Sequence, residues 1–287
     1  MRIAVASGKG GTGKTTLAVG LALTAPEPCH LIDADVEEPN SRLLLGPTDL
    51  SKRPITIPVP VVDLDQCVHC GDCAKICEFH AMAYLADKPV VFADLCHGCG
   101  GCMRVCPTDA IQEVPLSIGE LAQAARGDIL LTEGRLDVGK ALPTPVIRQT
   151  VTQTAPDRPL TIVDSPPGTS CSMMTAVRNA DMVILVTEPT PFGLNDLVLA
   201  VETLRQLEQP FGVVINRADA GDDRVLRYCE KEGIALFAAI PHDRKVAEAY
   251  SRGRHPVEAV PGMKETFEQL WTTVLRAAAE QTAGGPS

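Results

Sequence analysis

The chain predicts a doubly wound α/β fold, a mostly parallel sheet with helices on both faces, interrupted by a small cysteine-rich α+β insert. Two observations predict the sheet. Short apolar runs alternate with helix-like stretches along most of the 287 residues. Those runs are hydrophobic at nearly every position, as strands buried on both faces must be. A third observation predicts the insert. Cys67, Cys70, Cys73 and Cys77 return as Cys96, Cys99, Cys102 and Cys106, each 29 residues later, between proline-rich borders.

Taken in order, strands are expected at 3–6, 30–33, 129–132, 161–164, 182–187, 211–216 and 235–240. Helices are expected at 15–23, 194–207, 223–232 and 244–250, and this alternation is the mark of a doubly wound sheet. A last helix at 263–279 brings Phe267, Leu270, Trp271, Val274, Leu275 and Ala278 onto one stripe. Its polar face mixes Lys264 and Arg276 with Glu265, Glu268 and Glu280, so it reads as a helix packed on the core and not as a basic membrane-surface helix. Pro54, Pro58 and Pro60 before the cysteines and Pro115 after them read as linkers. The insert is therefore placed at 61–115, with residues 1–60 and 116–287 forming one α/β domain.

Bulk properties narrow the function classes. A net charge of −10 and an aromatic content of 3% argue against a nucleic-acid footprint, which needs Lys, Arg and stacking rings. No apolar run approaches the roughly 20 residues of a membrane span, and the start runs straight into a strand. A cytoplasmic location, without stable membrane association, is the expectation. Eight of the eleven cysteines fall in metal-ligand motifs, which a reducing compartment keeps free. Cys29 and Cys229 read as small buried thiols. The insert carries eight acidic residues against three basic ones, a face that steers a basic partner or simply aids solubility.

Residues Gly8 to Thr15 satisfy G-x4-G-K-[ST] between a strand and a helix. Backbone N–H groups of Gly8, Gly10, Gly11, Thr12 and Gly13 are expected to turn around phosphate, with the helix N-terminus and Thr16 behind them. Lys14 is expected on the β/γ-phosphates and the Thr15 hydroxyl on Mg²⁺. The string Lys9-Gly10-Gly11-Thr12-Gly13-Lys14-Thr15 resembles the deviant phosphate loop of the MinD/ParA family of ATPases. The resemblance implies that Lys9 reaches the nucleotide of a second subunit, giving an ATP-sandwich homodimer, or a heterodimer with a paralogue; the alternative is a solvated lysine. Leu31-Ile32-Asp33-Ala34-Asp35 is similar to the family's first switch, with Asp33 near Mg²⁺ and Asp35 near Mg²⁺ or the attacking water. Thr161–Gly168 is similar to its Walker B strand and second switch, with Asp164 holding Mg²⁺ through water. Asn216 and Arg217 sit where the family reads the base, as do Pro241 and Asp243; ATP is favoured, with GTP as the alternative. Val36–Asn40 and Glu133-Gly134 yield no mechanism.

The cysteine spacing resembles that of bacterial two-cluster ferredoxins. By that pattern one [4Fe–4S] cube takes Cys67, Cys70, Cys73 and Cys106, and the other takes Cys96, Cys99, Cys102 and Cys77. Pro107 follows Cys106 as the pattern expects, whereas Glu78 stands in its place after Cys77. Zinc is the alternative metal. Cys171, just past the second switch, reads as a structural thiol or as a cluster ligand shared across a dimer. The resemblance as a whole is to a MinD-superfamily P-loop ATPase with an inserted two-cluster ferredoxin domain. It implies ATP hydrolysis coupled to electron transfer to a redox or metal-cluster partner protein. The alternative is an ATP-dependent carrier or assembly factor for a metal cluster.

Overall fold

In the computed structural model, residues 1–47 and 49–283 are described. The strands are β1 (Arg2–Ala6), β2 (Cys29–Asp33), β3 (Ser51–Val62), β4 (Met82–Leu85), β5 (Lys88–Val91) and β6 (Ile111–Arg126). They continue with β7 (Ile129–Leu136), β8 (Leu160–Asp164), β9 (Met182–Thr187), β10 (Phe211–Asn216) and β11 (Leu236–Ile240). The helices are α1 (Lys14–Leu23), α2 (Ser41–Leu45), α3 (Asp72–Lys75), α4 (Gly101–Arg104), α5 (Pro143–Val151) and α6 (Cys171–Val177). After them come α7 (Pro191–Gln206), α8 (Arg224–Lys231), α9 (Arg244–Ser251), α10 (Pro256–Ala259) and α11 (Met263–Ala283).

The chain divides into two compact units. The first comprises Met1–Lys52, Leu121–Arg135 and Ile147–Ser287, and the second Arg53–Glu120 and Leu136–Val146. In the first, the strand order β11-β10-β9-β1-β8-β2-β7 is parallel at every pairing. Its central strands are sealed on both faces, with Ile3, Ala4, Val5, Val183 and Ile184 all at 0% exposure. The near-continuous apolar runs follow from that burial. α11 closes one face over α1: Phe267, Leu270, Trp271 and Val274 join the core of Ile3, Leu17, Leu21 and Leu31. The Trp271 Nε1–H donates to Leu21 O at 3.0 Å, which satisfies the one polar atom of that ring.

The second unit holds the antiparallel pair β4–β5, the short helices α3 and α4, and most of β3 and β6. One cluster of its core has Cys73, Met82 and Ile111 buried and Val62, Val91, Cys77, Cys102 and Cys106 packed against them; Ile55, Ile57, Val59 and Ile118 are buried elsewhere in the unit. Here the structure differs from the linker reading: Pro54, Pro58 and Pro60 lie inside β3, and Pro115 inside β6. β3 is the edge of the nine-strand order, and an edge strand tolerates residues without an N–H because one side needs no partner. The compact unit is correspondingly wider than 61–115. Among the described residues no helix is long and apolar enough to cross a membrane.

Candidate functional site

The phosphate loop joins β1 to α1 at the carboxyl ends of the parallel strands, where such sheets bind ligands. Gly13 adopts φ 99°, a left-handed conformation that glycine takes without strain. A side chain there would also meet Asn216 Nδ2 at 2.6 Å. Asn216 Nδ2 instead donates to Thr12 O at 2.8 Å, tying the end of β10 to the loop. A cavity of about 530 Å³ opens beside it, lined by Gly10, Gly11, Gly13, Lys14, Thr15, Thr16, Asp35, Asn216, Arg217, Pro241 and Asp243. That volume is in the range of small-molecule sites. Glu38, Asn40, Tyr250, Pro256 and Phe267 are among the other residues of the lining.

Three carboxylates stand side by side at the ends of adjacent strands, because Asp33 is in register with both Glu133 and Asp164. All three are buried. Asp33 is spoken for: its Oδ1 accepts from the Asp35 N–H, and its Oδ2 from the N–H groups of Asn40 and Ser41. Asp164 differs, since both of its oxygens are buried without a hydrogen-bond partner. Its carboxyl is held well above the ordinary value, first by burial and then by the charge of Asp33, while Thr15 and Lys14 pull the other way. Asp35 is pushed up to about 6 by burial, against the opposing Lys14 ammonium. A buried, unpartnered carboxylate beside a threonine hydroxyl is a donor set that fits a hard cation such as Mg²⁺. Glu133 is braced by Arg42 Nε at 3.7 Å and Arg135 Nη2 at 3.3 Å.

Lys9 lies 3.6 Å from Glu188, which also pairs with Arg217 at 2.8 Å. The Asp219 Oδ1 accepts from the His242 N–H, which holds that carboxyl below its usual value. It thereby fixes the start of the Pro241–Asp243 segment.

In the second unit a separate small cavity is lined by Cys67, Cys70, Cys73 and Cys106, with Val62, Tyr84, Pro107 and Ile111 around them. Cys106 comes from the second motif and the other three from the first. On the other side, the charge of Cys77 acts on Cys96 along with that of Cys99, so Cys77 of the first motif lies by the second set. The Gly98 N–H donates to Cys96 Sγ at 3.4 Å. Burial pushes the Cys73, Cys96 and Cys102 thiols up, whereas the backbone N–H of Thr108 lowers Cys106. Among the described residues no three His, Cys, Asp or Glu side chains gather as for a single metal ion. Ligands of a cube attach to four separate irons, so they surround a volume and do not converge on a point. Four thiols about an apolar cavity fit that donor set.

Residues 3–257 match the profile of the CobQ/CobB/MinD/ParA nucleotide binding domain. The chain belongs to this family. It is similar to the uncharacterised protein MJ0579 of Methanocaldococcus jannaschii, 32% identical over 88% of this chain and 90% of that protein. A second uncharacterised protein of that organism, MJ0578, is 30% identical over 94% and 95%. The iron–sulfur cluster carrier protein of Pyrococcus horikoshii is 24% identical over 88% of this chain and 77% of its own length. Among solved structures, the cell division ATPase MinD of Pyrococcus furiosus covers 96% of this chain and 98% of that one, with TM-score 0.58 and 20% identity. MinD of Pyrococcus horikoshii, solved with Mg-ADP, gives a TM-score of 0.56 at 21% identity, covering 99% and 97%. Both share the fold.

Within this CobQ/CobB/MinD/ParA-type unit the structure gathers Lys14, Thr15, Asp35, Asn216, Arg217, Pro241 and Asp243 around one cavity, with Asp164 beside it. Asn216 reaches the loop and not a free edge, and Asp33 orders the segment that follows it. The stretch that yielded no mechanism, Val36–Asn40, supplies Glu38 and Asn40 to the cavity wall; its position directly after the first switch was the available signal. Glu188 carried no signal, because it meets Lys9 from a distant part of the chain. Cys171 is exposed, unlike the buried Cys29 and Cys229, so the structural-thiol reading of Cys171 does not hold.

Proposed function

We propose that this chain is an ATP-hydrolysing iron–sulfur protein that couples nucleotide state to electron transfer through two [4Fe–4S] clusters to a partner protein. The carrying observation is the cavity where Cys106 joins Cys67, Cys70 and Cys73, on the same polypeptide as a phosphate-loop cavity lined by Lys14 and Thr15, the two groups that act on the unpartnered Asp164. Thr15 and Asp164 would hold Mg²⁺, Lys14 the β/γ-phosphates, and Asp35 the attacking water. The two thiol sets would hold one cube each, and a cube supplies one-electron chemistry. Lys9 would leave Glu188 to reach the nucleotide of a second subunit, a homodimer or, as two relatives in one organism suggest, a heterodimer.

The test is an anaerobic redox titration with Mg·ADP and then with a non-hydrolysable ATP analogue. A shift of about 59 mV between the two states corresponds to a tenfold one-electron coupling. Two cluster signals with no shift would reject the coupling and leave ATP to partner docking or cluster handling.

A second reading, an ATP-dependent cluster carrier, is favoured by the relatives named as iron–sulfur cluster carriers and by the exposure of Cys171. Under it, Cys171→Ser loses a labile cluster; a variant that keeps all its iron and activity rejects it.

A further inference from the structure

The two stretches that yielded no mechanism from sequence, Val36–Asn40 and Glu133-Gly134, meet in the fold. A side chain at Gly134 would overlap Thr150 Oγ1 and come within 3.0 Å of Val36 Cγ1, so the glycine leaves room for the buried Val36 to lie against β7. Glu133 reaches just past the other end of that stretch. Its Oε2 lies 3.7 Å from Arg42 Nε, one residue beyond Ser41, whose backbone N–H donates to Asp33 Oδ2. The segment is therefore anchored on two adjacent strands, by Asp33 of β2 through its backbone and by Glu133 of β7 through Arg42. Between the anchors lie Glu38 and Asn40 of the nucleotide cavity wall, and Asp35, which also lines the cavity, directly precedes Val36.

Stability alone does not call for a carboxylate here. Glu133 is 3% exposed and stands in register with Asp33, so two acidic groups are buried side by side. Burial, and then the charge of Glu133, raise the Asp33 carboxyl to about 7. Oε2 of Glu133 is buried without a hydrogen bond, and Oε1 accepts only a long one from Arg135 Nη2, at 3.3 Å. An apolar residue or an amide would cost less to bury. What the carboxylate adds is an electrostatic hold on Arg42, strengthened because one partner is withdrawn from water.

We propose that Glu133 is a positioning residue for ATP hydrolysis: through Arg42 it fixes the stretch after the first switch, and so keeps Asp35 at the nucleotide cavity. Glu133 is not among the residues lining that cavity, so it acts on turnover through the segment. This rests on the reading that the chain hydrolyses ATP.

The experiment compares the full chain with Glu133→Gln, Arg42→Gln and the double variant. At 3.7 Å the Glu133–Arg42 contact is electrostatic and not a hydrogen bond, so a neutral amide of the same shape removes it. Glu133→Gln should lower kcat by about 10-fold and leave the Kd for Mg·ADP in place. Its melting temperature should stay or rise, because a buried charge is neutralised while Arg42, with a side chain 29% exposed, keeps its water. Amide hydrogen exchange over 36–42 should speed up while the rest of the chain is unchanged. Arg42→Gln should lower kcat by a similar factor, and the double variant no further than either single one, since all three lack the same contact. A wild-type chain without ATP turnover rejects the ATPase reading and the proposal with it. With wild-type turnover present, the proposal alone is rejected by an unchanged kcat in Glu133→Gln or by losses that multiply in the double variant. A kcat loss accompanied by a lower melting temperature and no local change in exchange also rejects it.

Discussion

At the scale of single residues, the decisive features are charges buried without partners. Asp164 has both oxygens orphaned, so Asp164→Asn removes a burden from the metal-free chain while removing a hold on Mg²⁺. Turnover is expected to fall by about 10- to 100-fold, and the melting temperature of the nucleotide-free protein is expected to rise. A variant that melts lower and hydrolyses ATP normally would contradict both. The pH dependence follows from the same burial. Asp33, Asp35 and Asp164 are all raised from the usual 3.8, Asp35 to about 6. Groups raised by folding stabilise the fold below their unfolded value, and that contribution is lost as pH rises through the folded values. Melting of the metal-free protein should therefore drop between about pH 4 and pH 7, from the unfolded value to the folded value of Asp33, and saturating Mg·ADP should flatten the drop. Lys14, Thr15 and Asp164 were legible because their motif is contiguous or ends a strand. Glu188 was not, since its meeting with Lys9 and Arg217 spans three separate segments.

Elements were legible to the extent that they are buried. The seven strands expected of the parallel sheet all form, and 182–187 and 211–216 form over the residues expected, because strands sealed on both faces carry an unbroken apolar run. β3 and β6 were missed: they alternate polar and apolar residues and carry prolines, and only their place at and next to the sheet edge makes them strands. The stripe on α11 marked a packed helix, but its seat on α1 did not show. Gly20 is that seat, since a side chain there would lie 2.2 Å from the ring of Phe267. Gly20→Ala is expected to cost about 1–3 kcal/mol through overpacking, measured by urea unfolding. It should be recovered in part by Phe267→Leu, whereas an unchanged midpoint for Gly20→Ala would mean the helices separate freely.

For the whole molecule, the contrast between the two units sets the expectations. The first has a core of many fully buried side chains, whereas in the second the cluster among the cysteines rests on Cys73, Met82 and Ile111. On the proposed reading, so small a cluster around the cysteines relies on bound metal to hold it together. Removing iron with a chelator is expected to expose sites within Arg53–Glu120 to limited proteolysis, while the nucleotide unit stays intact and keeps binding Mg·ADP. Equal resistance with and without iron would show that the unit folds alone. Lys9→Ala is expected to abolish ATP-dependent dimerisation, followed by light scattering, with little effect on melting, because a partly exposed pair such as Lys9–Glu188 contributes little.

By itself the sequence determined the family of the nucleotide unit and marked out two candidate thiol sets. The phosphate loop and the doubled cysteine spacing are local patterns, set by backbone geometry within a few residues, and so are written in consecutive letters. Only the tertiary structure decided which distant groups complete them. Asp33 is spent on the loop after it while Asp164 is left free, Glu188 meets Lys9 and Arg217, and Phe79 finds His97. Each of these depends on packing between segments far apart in the chain, where burial and contact rather than local spacing set the outcome.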